Sequence, residues 1–591
     1  MKINKTVSCK FIRLVLACMT ISMVLAGCQQ PGKEDPSISD SNSTEESKGG
    51  ALNDIIPKET ITLTVYSKTA NYAGEQIGWF GQVMKEKFNV KFNVVPDPDG
   101  TTYTTRMEAG DMGDIVIWGN DDKDKYLAAI AKNLLMDWNE DDLLSEYGPY
   151  IKEHMPNALQ KNNEMSGGIT YGMGNDIGVN LTDISGFSYA WSTRWDLYRE
   201  LGYPEIKNMD DFADVLIQMQ QIEPTDDNNK RTYAVSLFSD WDGAMAMFPK
   251  SMVSAYYGYD EFGIGFYDSE TQRYIPAIAQ DSPYIKMLKF YNKLYQAGAM
   301  DPDSETQGFD GCAEDYRKGT AFFTPFAFLG ADAYNGEAHV KEGKAMFTLL
   351  PEEASPINYG QNIFGGNSTW SIGANTKYPE LCMAIINWLS TPEGKMTDLY
   401  GPKDVCWYYD ENGKTRFTDL GLACATNGET EMTNGYSGLF KDGQDKMFIT
   451  TWALDAVNPD SNGETYNRKF WASNISATAS DIENDWRNQT GASSADEYLA
   501  SRAYSLSPGT TYSPGAKSDE LTVTWNQVIE SVKTYSWKAM MAPSDAEFDK
   551  SIQEMITTAE SYGLAECNEF QENEALIRKA AEDAALATAE N

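Results

Sequence analysis

Asp240-Trp241-Asp242 sets an indole between two carboxylates, the sharpest of several such groupings in this chain. Trp118 is followed by Asn120 and Asp121, and Trp370 comes just after Gly365-Gly366-Asn367. Trp79 stands shortly after Tyr72 and Glu75, and Trp191 lies in the aromatic stretch that opens at Tyr189. An indole offers a flat apolar face, while Asp, Asn and Glu offer hydrogen-bonding groups around it. That combination suits a pyranose ring, which has an apolar C–H face and a hydroxylated rim. With 14 tryptophans and 33 tyrosines, the chain has aromatic surface to spare for such sites. Trp388 is different, because it shares an apolar helical face with Leu381, Ala384 and Ile385 and belongs in a core. Asp240 and Asp242 also admit a hydrolytic reading, one carboxyl acting as acid and the other as base.

Other chemistries find little support. His154 and His339 are the only histidines, and neither sits in a recognisable nucleophile–base motif. Of eight cysteines, Cys9 and Cys18 fall in an N-terminal leader and Cys28 follows it directly. Cys312, Cys382, Cys406, Cys424 and Cys567 remain, without a C-x-x-C pair, so neither a disulfide framework nor a cysteine zinc site is expected. A single Cys406–Cys424 bridge stays open. The formal charge is −39, and removing residues 1–27 deletes four positive charges to leave about −43. Such a chain repels nucleic acid and other polyanions overall.

The leader is explicit. Lys2, Lys5, Lys10 and Arg13 precede a mostly apolar run that closes on Leu25-Ala26-Gly27-Cys28, so residues 1–27 read as an export signal. Leu-Ala-Gly-Cys resembles the lipobox of bacterial lipoproteins, which implies a diacylglycerol on Cys28 and cleavage before it. Residues 28–56 are dominated by Ser, Asp, Glu, Gly, Pro and Lys and read as a flexible tether. No second apolar run approaches the length of a membrane span.

Elements able to position the aromatic groupings are visible along residues 60–118. Ile61, Leu63 and Val65 alternate with threonines and mark a strand, Phe80 to Phe88 has helical spacing, and Val90, Phe92 and Val94 alternate again. Asp114-Ile-Val-Ile-Trp118 is a continuous apolar run, as in a central strand, and it ends on Trp118. Strands alternating with helices predict an α/β sheet, whose ligands sit at the carboxyl ends of its strands. Asn208 and Thr391-Pro392 read as helix starts, and residues 545–591 as helical.

Several short segments recur in a family-like order. Lys85 to Val90, Tyr103 through Ala109-Gly110-Asp111 to Asp114-Ile115, and Arg194 with Asp196 and Leu201-Gly202 come first. Lys318 to Ala321, Pro379-Glu380 with Trp388 to Ser390, Glu393-Gly394, and Tyr400-Gly401 with Trp407 to Asp410 follow. Together they resemble family 1 extracellular solute-binding proteins of bacterial ABC importers, especially long lipoprotein members of low-GC Gram-positive bacteria. The resemblance covers most of residues 57–415. It implies a two-lobed α/β fold of the type II periplasmic-binding-protein kind, with a multi-strand hinge and a ligand cleft between discontinuous lobes. The expected lobes are 57–188 plus 327–400, and 189–326 plus 401–591, with crossings near 188, 326 and 400. It also implies a monomeric, lipid-anchored protein on the extracellular face of the membrane. This would capture a carbohydrate, most simply an oligosaccharide, for the transmembrane subunits of an ABC permease, without catalysis or cofactor. A peptide or other non-sugar solute is the alternative, and a surface glycoside hydrolase a more distant one. Some long relatives carry a calcium loop. Here the matching Asp226-Asp227-Asn228-Asn229-Lys230-Arg231 lacks the glycine and the closing acidic residues, so a solvated loop is favoured and calcium is possible but not favoured.

Overall fold

A computed structural model of the chain describes residues 54–97, 101–120, 122–181, 183–226, 228–448, 450–476 and 479–589. The export signal, Cys28 and nearly all of the tether lie outside the described residues, as do Asp121 and Asp227. Nine strands build the two sheets that position the site: β1 (Ile61–Ser67), β2 (Gly74–Glu75), β3 (Val90–Pro96), β4 (Ile115–Ile117), β5 (Gly172–Gly174), β6 (Ser192–Arg194), β7 (Phe323–Thr324), β8 (Met346–Thr348) and β9 (Thr369–Ile372).

The first sheet has the order β2-β3-β1-β4-β9-β5, with β1 parallel to β3 and β4, and β9 antiparallel to β4 and β5. The period-2 pattern of β1 and β4 works on both faces. Leu63, Val65, Ile115 and Ile117 pack into one core, and Tyr66, Val116 and Trp118 into another on the opposite side. Helix Gly78–Phe88 covers the first of these with Trp79, Phe80, Val83, Met84 and Phe88. The second sheet runs β7-β6-β8, all antiparallel. Parallel bridges Tyr233–Ala321 and Val235–Met300 extend it, so residues 233–235 run alongside the approach to β7.

Helix starts follow their sequence signals. Asn208 accepts from the amides of Asp210 (3.0 Å) and Asp211 (3.1 Å) to cap Met209–Ile222, which buries Phe212, Val215, Leu216 and Met219. Thr391 caps Pro392–Tyr400 through the Gly394 amide. The helical C-terminus comprises Asp545–Tyr562 and Leu564–Ala589, preceded by the long helix Asp519–Met540.

Two large cores separate the lobes, and their membership moves two of the expected boundaries. Residues 329–357 pack with 189–323 and 482–567, whereas 406–471 pack with 63–177 and 370–396. The expected crossings at 326 and 400 therefore do not match the packing. The chain passes between cores at about 182–188, 358–368 and 472–481. The reason is physical. β8 completes the second sheet against β6, so 327–357 cannot leave that lobe. Phe440 stacks on Trp79 at 5.4 Å, and Trp407, Trp452 and Trp471 fill the first core. Cys312, Cys382, Cys406, Cys424 and Cys567 are buried free thiols.

Candidate functional site

Strand direction locates the cleft. β4 ends at Ile117, opposite Trp370 near the start of β9, and β9 in turn lies antiparallel to β5, which ends at Gly174. The segments around 182–188 and 358–368 therefore leave the first sheet at the edge that carries Trp118. In the second lobe, Ser192 opens β6 and pairs with Thr324 and Thr348 at the ends of β7 and β8. The crossing segments reach that sheet at the edge from which 236–242 and 326–328 emerge. The two sheets thus turn the carboxyl ends of their parallel strands toward the same crossing, as α/β ligand sites require.

On the first lobe this edge holds a cavity of about 320 Å³ whose lining includes Trp118, Asn120, Tyr126, Lys161, Asn367 and Thr511. Trp118 is nearly buried, edge-on to Tyr103 (5.0 Å) and Tyr126 (5.6 Å), with its indole N–H donating to Ser371 Oγ (3.2 Å). It offers an edge rather than an open face. Asn120 accepts from the Ser368 amide through Oδ1, which ties the 118–120 and 366–369 loops together. Asn162, on helix Pro156–Met165, accepts from the Tyr171 and Gly172 amides and donates to Tyr126 Oη (2.8 Å). Burial pushes the Tyr126 hydroxyl up to about 12. Lys161 Nζ donates to Gly365 O (2.8 Å), Gly366 O (3.1 Å) and Asn367 Oδ1 (3.4 Å), and burial together with nearby Lys123 pulls its ammonium down to about 8. The floor requires glycine at 174, where a Cβ would meet Gly366 O at 2.5 Å.

On the second lobe the edge carries an aromatic platform. Trp241 is 49% exposed and stacks on Phe309 with centroids 4.7 Å apart and planes at 20°. Phe238 meets it edge-on at 5.0 Å, and Phe328, itself 46% exposed, lies 6.0 Å away. The flanking carboxylates hold this arrangement. Asp240 Oδ2 accepts from the Phe309 amide (2.9 Å), fixing that ring under the indole. Asp242 accepts from the Met247 amide (2.7 Å) and from Trp537 Nε1 (2.7 Å), and burial pushes its carboxyl up. Both are engaged in holding the loop, and they stand in a turn rather than side by side on a strand. The hydrolytic pair loses its geometric basis.

The remaining groupings are structural. Trp79 is buried and donates to Phe440 O (2.9 Å), and Trp191 is buried and donates to Ala255 O (3.2 Å). Trp370 points into the first core, donating to Thr450 O (2.9 Å), on the face of the sheet opposite Trp118. Tyr72 donates to Glu75 O, and Glu75 pairs with Lys91 (2.9 Å) at the outer edge strand. The three indoles are buried and have no open face for a ligand, whereas half-buried Tyr72 and exposed Glu75 are engaged at the sheet edge. Asp121 lies outside the described residues.

Sequence reasoning missed Lys161, Phe309, Phe328 and Thr511. Phe326 and Phe328 were signalled by the apolar run that continues past β7, because a strand's end is where a ligand-facing aromatic belongs. Lys161 had no such signal, since it looks like any helix-surface lysine. Around the suspected calcium loop, Asp226 Oδ1 accepts from the Asn228 and Lys230 amides. Among the described residues no group of three or more His, Cys, Asp and Glu is placed to hold a metal ion.

No protein-family model matches the chain, and no curated protein matches it. Solved structures do. An HMO-binding, ABC-transporter-associated solute-binding protein from Bifidobacterium longum infantis aligns at 15% identity and TM-score 0.57, over 88% of this chain and 99% of its own. The fold is that of ABC-transporter solute-binding proteins. The S. pneumoniae substrate-binding protein FusA, solved with kestose, aligns at 13% identity and TM-score 0.51, over 88% of this chain and 100% of its own. The alginate-binding protein AlgQ2, solved without calcium, aligns at 15% identity and TM-score 0.51, over 88% and 99%.

Proposed function

We propose that this chain is the substrate-binding subunit of an ABC importer and captures an oligosaccharide between its two lobes. The observation that carries the reading is the presence of the open Trp241–Phe309 platform and the polar Trp118 cavity on strand ends that share one crossing. Trp241 supplies the stacking face; Asn120 and Asn367, with the edge of Trp118, supply the polar wall; Asp240 and Asp242 position the indole. Neighbouring folds named as HMO-binding and alginate-binding, or solved with kestose, support a carbohydrate ligand. The protein performs no chemistry on its solute. Closure by rotation about the three crossing segments traps it and presents a closed form to permease subunits. A lipid on Cys28 would hold the protein on the outer face of the membrane, and no helix among the described residues is long and apolar enough to cross one.

The test is a thermal-shift screen of the chain without its leader against mono- and oligosaccharides, with peptides alongside. A ligand at a hundred times its Kd adds about 2.7 kcal/mol of stability, which raises Tm visibly. A shift with one oligosaccharide series supports the reading. Silence across sugars with a shift from a peptide overturns it. Mass spectrometry of Cys28 from the membrane fraction tests the anchor: an unmodified cysteine there refutes it.

A further inference from the structure

We propose that the Trp118 cavity receives an anionic substituent of the sugar, a carboxylate or sulfate group, through Lys161 and Lys123. The inference rests on the oligosaccharide reading and narrows its ligand class.

The chain carries 87 acidic and 48 basic side chains, so a lysine has carboxylates in abundance to pair with. Among the described residues, the two lysines lining this cavity pair with none. Lys161 Nζ faces only neutral acceptors, Gly365 O, Gly366 O and Asn367 Oδ1. Carbonyl dipoles orient an ammonium without cancelling its charge. The depressed value of Lys161, caused by burial and by Lys123, reports the same uncompensated charge. Of the two acidic side chains on the lining only Asp122 is charge-paired; Glu164 keeps its charge, because its partner Gln160 is neutral. Asp122 accepts from the Gly119 amide (2.9 Å) and pairs with Lys125 (3.2 Å), while Glu164 is exposed and accepts from Gln160 (2.8 Å).

The rest of the wall favours acceptors as ligands. Asn120 spends Oδ1 on the Ser368 amide, which leaves its NH2 group to donate, and Thr511 and Ser513 add exposed hydroxyls. Helix Lys123–Ala131 begins at the cavity, so its positive dipole end adds to the same field. Trp118, Tyr126 and Met165 supply apolar wall, and beside it a charge contact weakens less than in open water. The 3.4 Å contact of Lys161 with Asn367 is the longest of its three and the natural one to exchange for a carboxylate oxygen in a charge-assisted bond.

Lys161 could instead serve only to tie the 365–367 loop to its helix, and the experiment separates the two roles. Calorimetric titration of the leaderless chain uses matched tetrasaccharides in gluco, galacto and manno series that differ at one residue: a form with a single uronic acid, its carboxyl-reduced neutral form and a form with a single 6-sulfate. An anionic form is expected to bind about tenfold or more tighter than its neutral match. Uronate and sulfate are told apart by which form wins. Lys161→Met should erase most of that difference, Lys161→Arg should keep it, and Lys123→Ala should reduce it in part. Added salt should weaken only the anionic forms. Neutral forms binding as tightly as anionic ones would overturn this inference and leave the oligosaccharide reading intact. Absence of binding by every sugar would overturn both. Equal weakening of all forms by Lys161→Met, with a lowered Tm, would reduce Lys161 to a structural tie and overturn it as well.

Discussion

Replacing Trp241 with alanine should weaken oligosaccharide binding while sparing the fold, and the size of the effect can be worked from its surroundings. Phe309 covers one face of the indole at 4.7 Å, so the 49% exposure of Trp241 belongs to the other face and the rim. A tryptophan has up to about 250 Å² to bury, so the open part is about 120 Å². A sugar ring covering half of that, at ~25 cal/mol per Å², gains about 1.5 kcal/mol, or about tenfold in Kd. Trp241→Phe should recover part of this, since a smaller ring can still lie over Phe309. Folding should suffer little, because the substitution removes a half-exposed side chain. Asp240 accepts from a backbone amide at 309 and can still hold that turn. The assay is calorimetric titration with the series that shifts Tm, alongside urea denaturation of the ligand-free protein. A change in Kd below about twofold, with unfolding unaltered, would refute the platform, because the area argument allows no such silence.

The buried indoles should answer differently: Trp118→Ala and Trp79→Ala each remove a fully packed ring and should cost about 3–5 kcal/mol in urea unfolding, whatever they do to binding. Arg194, 1% exposed, donates to Asp196 (2.6 and 2.9 Å), Glu223 (3.1 and 3.2 Å) and Gly319 O (3.2 Å), so Arg194→Ala strands two carboxylates and should cost about 3–5 kcal/mol. Ser236 Oγ lies 3.0 Å from Oδ2 of both Asp301 and Asp315, and one hydroxyl hydrogen cannot serve both, while burial raises the Asp301 carboxyl. A raised folded value means the native state holds that proton longer, so stability present below the unfolded value of 3.8 is lost as pH rises through the folded one. Asp301→Asn should therefore gain on the wild type in urea midpoints as pH rises above about 4, and a difference constant with pH would refute this. At the crossing, Asp455 Oδ2 accepts from the Gly186 amide (2.6 Å) and Asp496 Oδ1 from the Phe187 amide (2.8 Å), so adjacent amides are pinned from opposite lobes. Asp455→Ala should speed hydrogen exchange at Gly186 by about tenfold, as measured by mass spectrometry, with the sheets unaffected.

What was legible in the sequence follows from the range over which each determinant acts. β1, β3 and β4 and the helix between the first two announce themselves through side-chain periodicity, and the caps at Asn208 and Thr391 through a polar atom two or three residues from the amides it serves. Trp118 was placed correctly at a strand end, because a short run of apolar residues ending there is a local fact. Its burial was not legible, since Tyr103 and Tyr126 close on it from helices whose approach depends on the finished sheet. The same limit explains Trp79, whose place shortly after Tyr72 and Glu75 gives no sign of Phe440, more than 300 residues away, as its stacking partner. Lobe membership failed for this reason too. Nothing within 327–357 says that Met346–Thr348 will complete a sheet against Ser192–Arg194, and nothing within 401–471 says that its tryptophans will fill a core begun at residue 63. Trp241 stands at the opposite extreme. Two carboxylates beside one indole made it conspicuous as a binding group. The structure gives those carboxylates another task, since both accept amide or indole N–H bonds and leave only the ring exposed. Polar residues that flank an exposed aromatic can therefore mark a held platform as readily as a set of ligand contacts, and the surface left free after their own hydrogen bonds are counted decides which.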